Sequence, residues 1–221
     1  MSGLNTELHA LDIEPTTGAL SVGLKTTTVF MANAIAVDGQ ARFLIVNGGS
    51  EEIAIHGLDA DKHPLPATAY PVDGTNWNVA LDPSGTTAYV PSPGTNTIFP
   101  FHIDAAALTM APLPSASLAS PPYTALAHPT SPLLYTANTD GSLGVFSIAA
   151  GGERTALTTD AMVATSGYPL TIDSAATHLY VGGSPPVWII DVDGAVLTLN
   201  GSVEQPQDNP PIPRAFAWVH P

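Results

Sequence analysis

Three short motifs recur along this chain at one spacing, and that spacing limits the fold more than any other feature. The first is an alternating apolar stretch ending in an acidic residue or histidine: Ala34-Ile35-Ala36-Val37-Asp38, Val79-Ala80-Leu81-Asp82, Ala125-Leu126-Ala127-His128 and Leu170-Thr171-Ile172-Asp173. Its end markers, Asp38, Asp82, His128 and Asp173, stand 44, 46 and 45 residues apart, and a further copy, Ala217-Trp218-Val219-His220, ends 47 residues on. The second follows each turn: Phe43-Leu44-Ile45-Val46, Ala88-Tyr89-Val90, Leu134-Tyr135-Thr136 and Leu179-Tyr180-Val181. The third is centred on Ile13, Leu58, Ile103, Ile148 and Val192, with steps of 45, 45, 45 and 44. A fixed period held by three separate markers is the sign of a repeat architecture.

Each period holds three alternating strands and a weaker fourth. In chain order they are A (the Ala-Leu-Ala type), B (the Leu-Tyr-Val type), C (around Ile103) and D (a variable stretch such as 108–112). Asp82-Pro83-Ser84-Gly85 and Asp193-Gly194 mark turns between them. Four strands in ~45 residues is the pattern of a β-propeller blade, and no helical periodicity supports a solenoid. The fold expected is therefore all-β, one propeller domain over 1–221 with about five four-stranded blades. Full repeats are expected over 29–75, 76–120, 121–166 and 167–210, with partial ones over 1–28 and 211–221. The chain starts near a C strand and stops just after an A strand, so the N- and C-terminal strands are expected to share the closing blade. A piece of a longer propeller is the alternative, and it would leave unpaired edges.

Composition removes several functions. Lys and Arg total 5 against 19 Asp and Glu, a net charge of −14. Five dispersed cations cannot make the basic footprint that nucleic acid needs, and the same sign excludes attraction to an anionic membrane surface. No apolar run reaches bilayer length. The 22 Pro and 19 Gly are spread throughout and leave no room for a long helix. Without cysteine there is no disulfide, thiolate metal site or thiol nucleophile. The N-terminus lacks the basic and apolar segments of a secretory signal, which leaves a cytoplasmic protein or a secreted one whose leader is absent.

The repeats resemble the lactonase-type propellers, which include 6-phosphogluconolactonase-like enzymes and carboxy-muconate cyclases and run to seven blades. The resemblance rests on 78–104 (Val-Ala-Leu-Asp-Pro-Ser-Gly then Ala-Tyr-Val-Pro-Ser), on 169–201 (Leu-Thr-Ile-Asp-Ser then His-Leu-Tyr-Val-Gly-Gly), and on Pro213-Arg214-Ala215-Phe216-Ala217. It covers most of the chain and implies shared blade geometry. The family's catalytic residues transfer poorly. A His-x-His pair of the family falls on Thr75 and Trp77, and an Arg-His pair on Tyr123 and Thr124. A family Glu falls on Thr139, after Asn138. Only the Arg of the last motif is kept, as Arg214. Acid–base chemistry needs a titratable group in reach of the proton, and an oxyanion needs donors aimed at it; these slots supply neither in the family's manner.

The candidate site is the register five residues before the end markers, which holds Trp77, Tyr123 and Tyr168. In a propeller it lies at the start of the innermost strand, near one mouth of the central channel. Asn76, Asn78 and Thr124 stand beside it, and Arg214 is expected at the same mouth. Aromatic faces with amides and hydroxyls stack on and hydrogen-bond a neutral polar ring. The bland reading of the same aromatics is packing between blades. The end markers are read as turn caps. Asp191-Val192-Asp193-Gly194 and Asp59-Ala60-Asp61 start like calcium loops but lack the rest of one, and no zinc motif, nucleophile elbow or phosphate loop is present, so no metal or cofactor is expected.

The resulting expectation is a non-catalytic binding module for a neutral polar small molecule, carbohydrate included, or for a protein partner. One alternative is a lactone hydrolase or carboxy-muconate-type cycloisomerase in which Arg214 orients the substrate carboxylate. Another is a structural propeller that self-assembles through an incomplete closing blade.

Overall fold

The structure, a computed structural model, describes residues 6–49, 51–157, 169–182 and 186–204. The described residues form nineteen strands in antiparallel sheets. β1 (Glu7–Ile13) and β2 (Leu20–Thr27) form a hairpin. Four sheets follow, each made in chain order from inside to outside. The first is β3 (Ala34–Val37), β4 (Phe43–Asn47), β5 (Glu52–Leu58) and β6 (Pro64–Pro71). The second is β7 (Ala80–Leu81), β8 (Thr87–Ser92), β9 (Thr97–Asp104) and β10 (Thr109–Pro112), with the short β11 (Ala116–Ser117) also on β9. The third is β12 (Pro122–Ala127), β13 (Leu133–Asn138), β14 (Leu143–Ile148) and β15 (Arg154–Leu157). The fourth is β16 (Leu170–Ile172), β17 (His178–Val181), β18 (Val187–Asp193) and β19 (Val196–Val203). The A–B–C–D reading of the period thus fits each sheet, with β1 and β2 as a C–D pair. β3 lies against β7, β7 against β12, and β12 against β16, so the A strands of successive sheets are neighbours. The last apolar copy, 217–220, expected to join the N-terminal strands in the closing blade, lies outside the described residues.

Alternation along each strand gives every sheet two apolar faces, and the core is divided accordingly. Leu8 and Phe30 meet Leu44, Val46 and Ala54 between the β1–β2 hairpin and the first sheet. Ile45, Ile53 and Ile55 meet Val90, Phe101 and Ile103 between the first and second. Tyr89 and Ile98 meet Ala125, Leu134 and Phe146 between the second and third. Tyr135 and Val145 meet Leu179, Val181 and Ile190 between the third and fourth. Each pair of neighbouring sheets encloses one apolar cluster.

The A–B turns repeat to the level of single hydrogen bonds. The N–H of each marker donates to the carbonyl five residues on: Asp38 to Phe43, Asp82 to Thr87, His128 to Leu133 and Asp173 to His178, at 2.9–3.1 Å. The marker side chain then caps the loop. Asp82 Oδ1 accepts the N–H of Thr86 and Thr87 at 2.8 and 2.6 Å, and Asp173 Oδ1 accepts those of Thr177 and His178 at 2.7 and 3.2 Å. His128 does the same with Nδ1, taking the N–H of Thr130 and Ser131 at 3.1 and 2.9 Å. In the first turn Arg42 donates to both oxygens of Asp38, at 2.7 and 2.9 Å, and reaches the Ser84 carbonyl of the next turn. Gly85 there has φ +69°, and a Cβ on it would collide with Asp38. Asp38, Asp82, His128 and Asp173 are therefore turn architecture, as their sequence suggests, while His220 lies outside the described residues.

Candidate functional site

The A strands begin at one end of the sheets, and the residues singled out at their entries take different positions. β12 starts at Pro122, so Tyr123 and Thr124 lie on the innermost strand. The register slips between Pro122 and Thr124, which makes Tyr123 the extra residue of a β-bulge. A bulge re-aims the side chain it carries, and Tyr123 is half-buried while Thr124 is buried. In the second sheet the inner strand is only Ala80–Leu81. Asn76, Trp77 and Asn78 therefore lie in the loop leading into it, not on the strand. Trp77 is 44% exposed, a large aromatic left open to solvent. Asn76 is buried, with Nδ2 donating to the Gly74 carbonyl at 3.3 Å. The same register in the first sheet holds Asn33, whose N–H donates to the Asn47 carbonyl at 2.8 Å. Tyr168 and Arg214 lie outside the described residues.

Asn78 joins sheets. Its Oδ1 accepts the Ala125 N–H at 2.9 Å, and its own carbonyl accepts Nδ2 of Asn47 at 2.8 Å. A ligand at this position would have the Asn78 amide N–H groups to meet, since the oxygen is engaged between blades.

The structure adds a register that the motif reading missed. The B strands β4, β8 and β13 end in the buried polar residues Asn47, Ser92 and Asn138. Ser92 Oγ donates to the Thr75 carbonyl at 3.2 Å, beside the Trp77 loop. Asn138 pairs across the ladder with Pro122, at the entry of β12. Its Nδ2 donates to Ser142 Oγ at 2.9 Å, and Ser142 Oγ donates to Asp140 Oδ1 at 2.6 Å. Burial pushes the Asp140 carboxyl up, but hydrogen bonds from Ser142 and Ser120 outweigh it and hold the group below its ordinary value. Asp140 is thus kept as an anionic acceptor at neutral pH. A groove of about 380 Å³ opens beside this chain of bonds. Ser117, Ser120, Asn138 and Ser142 give it polar walls, and Leu118 and Phe146 give it apolar ones.

Several other titratable groups serve turns or contacts between sheets. Asp59 Oδ1 accepts the N–H of Asp61 and His63 at 2.9 and 2.8 Å, closing the β5–β6 turn, and His63 Nδ1 stands 3.7 Å from Asp59 Oδ2. His178 stands between Asp173 Oδ2 at 2.9 Å and Asp191 Oδ1 at 3.4 Å. Arg154 reaches from β15 to the Ile98 carbonyl of β9 at 2.8 Å. What gathers around the strand entries is an exposed indole, a phenol, amides, hydroxyls and one carboxylate. That set can stack on and hydrogen-bond a neutral polar molecule.

No protein-family model matches this sequence, and no curated protein does. Solved structures do match. A provisionally named 6-phosphogluconolactonase from Bacteroides uniformis superposes with a TM-score of 0.78 at 16% identity, over 91% of this chain and 66% of that one. One from Bacteroides fragilis gives 0.74 at 17% identity, over 90% and 64%. The periplasmic gluconolactonase of Pseudomonas aeruginosa gives 0.74 at 16% identity, over 90% and 64%. The chain spans 64–66% of the length of these three structures. At such identities the likeness shows the fold: four-stranded blades of the lactonase-type β-propeller.

Proposed function

We propose that this lactonase-type blade array is a binding module for a neutral polar small molecule, with carbohydrate as the leading class. The residues assigned to its site are Asn76, Trp77, Asn78, Tyr123 and Thr124; Tyr168 and Arg214, assigned with them from the sequence, lie outside the described residues. The carrying observation is Trp77, an exposed indole in the loop that leads into an inner strand, flanked in sequence by the buried Asn76 and by Asn78. A protein-borne glycan fits the same chemistry. The net charge of −14 works against an anionic ligand.

The test is a glycan array and calorimetry with neutral sugars. Trp77→Ala should weaken binding about tenfold, in line with the loss of one stacking partner, and leave thermal unfolding unchanged. An array without hits removes the carbohydrate reading. A second reading, lactone hydrolysis or muconate-type cycloisomerisation, is favoured by the fold shared with a gluconolactonase. It requires turnover of a lactone or muconate panel that falls with Arg214→Ala, and that result would displace the binding-module reading.

A further inference from the structure

One register of the repeat changes character in the third sheet. Eight residues after the markers Asp38, Asp82 and Asp173 stand Val46, Val90 and Val181, each buried in the cluster shared with the preceding sheet. Eight residues after His128 stands Thr136. It is fully buried, and its Oγ1 has no hydrogen-bond partner. A hydroxyl in a valine slot costs stability when nothing bonds it. Gly144 of β14 pairs with Thr136 across the ladder. Its φ lies outside the left-handed region, so the backbone does not call for glycine. A Cβ there would stand 2.4 Å from Thr136 Oγ1 and 3.0 Å from the Phe146 ring. A glycine within a strand weakens it, and marks a place where another group approaches closely.

Two residues on, along the same face of β13, Asn138 is buried and also incompletely bonded. The Asp140 carboxylate can only accept, so Ser142 Oγ directs its one proton there, at 2.6 Å. Asn138 must therefore turn Nδ2 toward Ser142, at 2.9 Å. Its Oδ1 is left without a partner. Asn138 and Gly144 both line the groove of about 380 Å³ described above.

We propose that this groove is a binding site for a small organic cation, a primary ammonium on an apolar body. The ammonium donates to Asn138 Oδ1 and Thr136 Oγ1, and the gap at Gly144 lets it approach them. Its N–H groups suit a wall whose unmet atoms are oxygens. Among the described residues that line the groove, none is Lys or Arg. Asp140, bonded to Ser142 and Ser120, is held anionic behind that wall. The net charge of −14 draws a cation to the protein and repels an anion. Leu118, Leu143 and Phe146 give the apolar body a surface to lie against. The groove is at the small end of the range for ligand pockets, roughly 300–1,000 Å³. This site is separate from the Trp77 loop, and the inference does not rest on the reading of that loop.

Titration calorimetry with benzylammonium tests this. Benzyl alcohol serves as the same body without the charge, and benzoate as the opposite charge. Amide NMR locates the contact. Benzylammonium should bind, shift the amides of Asn138, Ser142 and Gly144 most, and bind about tenfold more tightly than benzyl alcohol, the margin of a charged over a neutral hydrogen bond. Benzoate should not bind. Thr136→Val installs the residue that the other three sheets carry and creates no clash. It should keep or raise the unfolding midpoint and weaken benzylammonium about fivefold, the worth of one hydrogen bond. Asp140→Asn should weaken benzylammonium and leave benzyl alcohol unchanged, and added salt should weaken the wild type. Four results each overturn the proposal: no binding at millimolar benzylammonium, benzyl alcohol bound as tightly, amide shifts centred elsewhere, and Thr136→Val binding like the wild type. The first would mean that the groove holds water only. These readouts use neither Trp77 nor a sugar, so failure here leaves the binding-module reading intact.

Discussion

Asn78 Oδ1 accepts the N–H of Ala125 at 2.9 Å, across 47 residues of sequence and from one sheet to the next. Ala125 is buried on the innermost strand of the third sheet, so its N–H has no solvent to turn to. Asn78→Ala should therefore destabilise by about 1–3 kcal/mol, the cost of stranding a buried donor. Asn78→Asp keeps the acceptor and should cost less. Denaturant midpoints of the three proteins check this order. Equal stability of Asn78→Ala and wild type would remove the inter-blade role.

Two histidines make the fold acid-sensitive in different tautomers. His56 is fully buried between the hairpin and the first sheet, with Nδ1–H donating to the Leu65 carbonyl at 2.8 Å. Burial pushes its pKa below 6.5. His128 is also lowered by burial, and it uses unprotonated Nδ1 as an acceptor. Both bind a proton more readily unfolded than folded. Stability should thus be full above about pH 6.5 and fall as pH drops below it. Denaturant unfolding at pH 7.5 and 5.5 measures the loss. His56→Asn, which keeps a donor for Leu65, together with His128→Asp should flatten the dependence in that window.

A separate acid transition is expected further down. Burial pushes the Asp173 carboxyl up, but hydrogen bonds from His178 and Thr177 outweigh it and hold the group at about 2. The Arg42 guanidinium holds Asp38 below its ordinary value. Their contribution is present above the usual carboxylate pKa and lost as pH falls from about 4 toward 2. Asp173→Asn should remove part of this loss, and unfolding followed through that range shows whether it does.

The A–B turns carry avoidable strain. Ala41 and Ala176 sit three residues after their markers at φ 50° and 56°, where the second turn has Gly85 at φ +69°. Left-handed backbone disfavours a Cβ, so Ala41→Gly and Ala176→Gly should each stabilise by about 0.5–1 kcal/mol. Raised unfolding midpoints in both would agree; a lowered midpoint would show that the turns are relaxed as they stand.

The repeat was legible because alternation and turn caps are local. The markers Asp38, Asp82, His128 and Asp173 announce strands on both sides of themselves through residues at most five positions away. Contacts between repeats were less legible. That Asn78 faces Ala125, and Asn47 faces Asn78, depends on how sheets stack, which no local pattern encodes. The inner strand of the second sheet shrank to Ala80–Leu81, so Trp77 stands in a loop instead of opening the strand. The bulge at Tyr123 likewise gave no signal. One further signal lies in the sequence: Asn47, Ser92 and Asn138 stand 45 and 46 residues apart, a polar beat at the end of the B strands of the first three sheets.

Because each apolar cluster is shared by two sheets, no single repeat owns a complete interior. Excising one unit would strip both flanking units of half their support, and damage would spread sideways like a failing arch. A single repeat cut out of this protein would keep neither flanking half of its interior and should collapse on isolation.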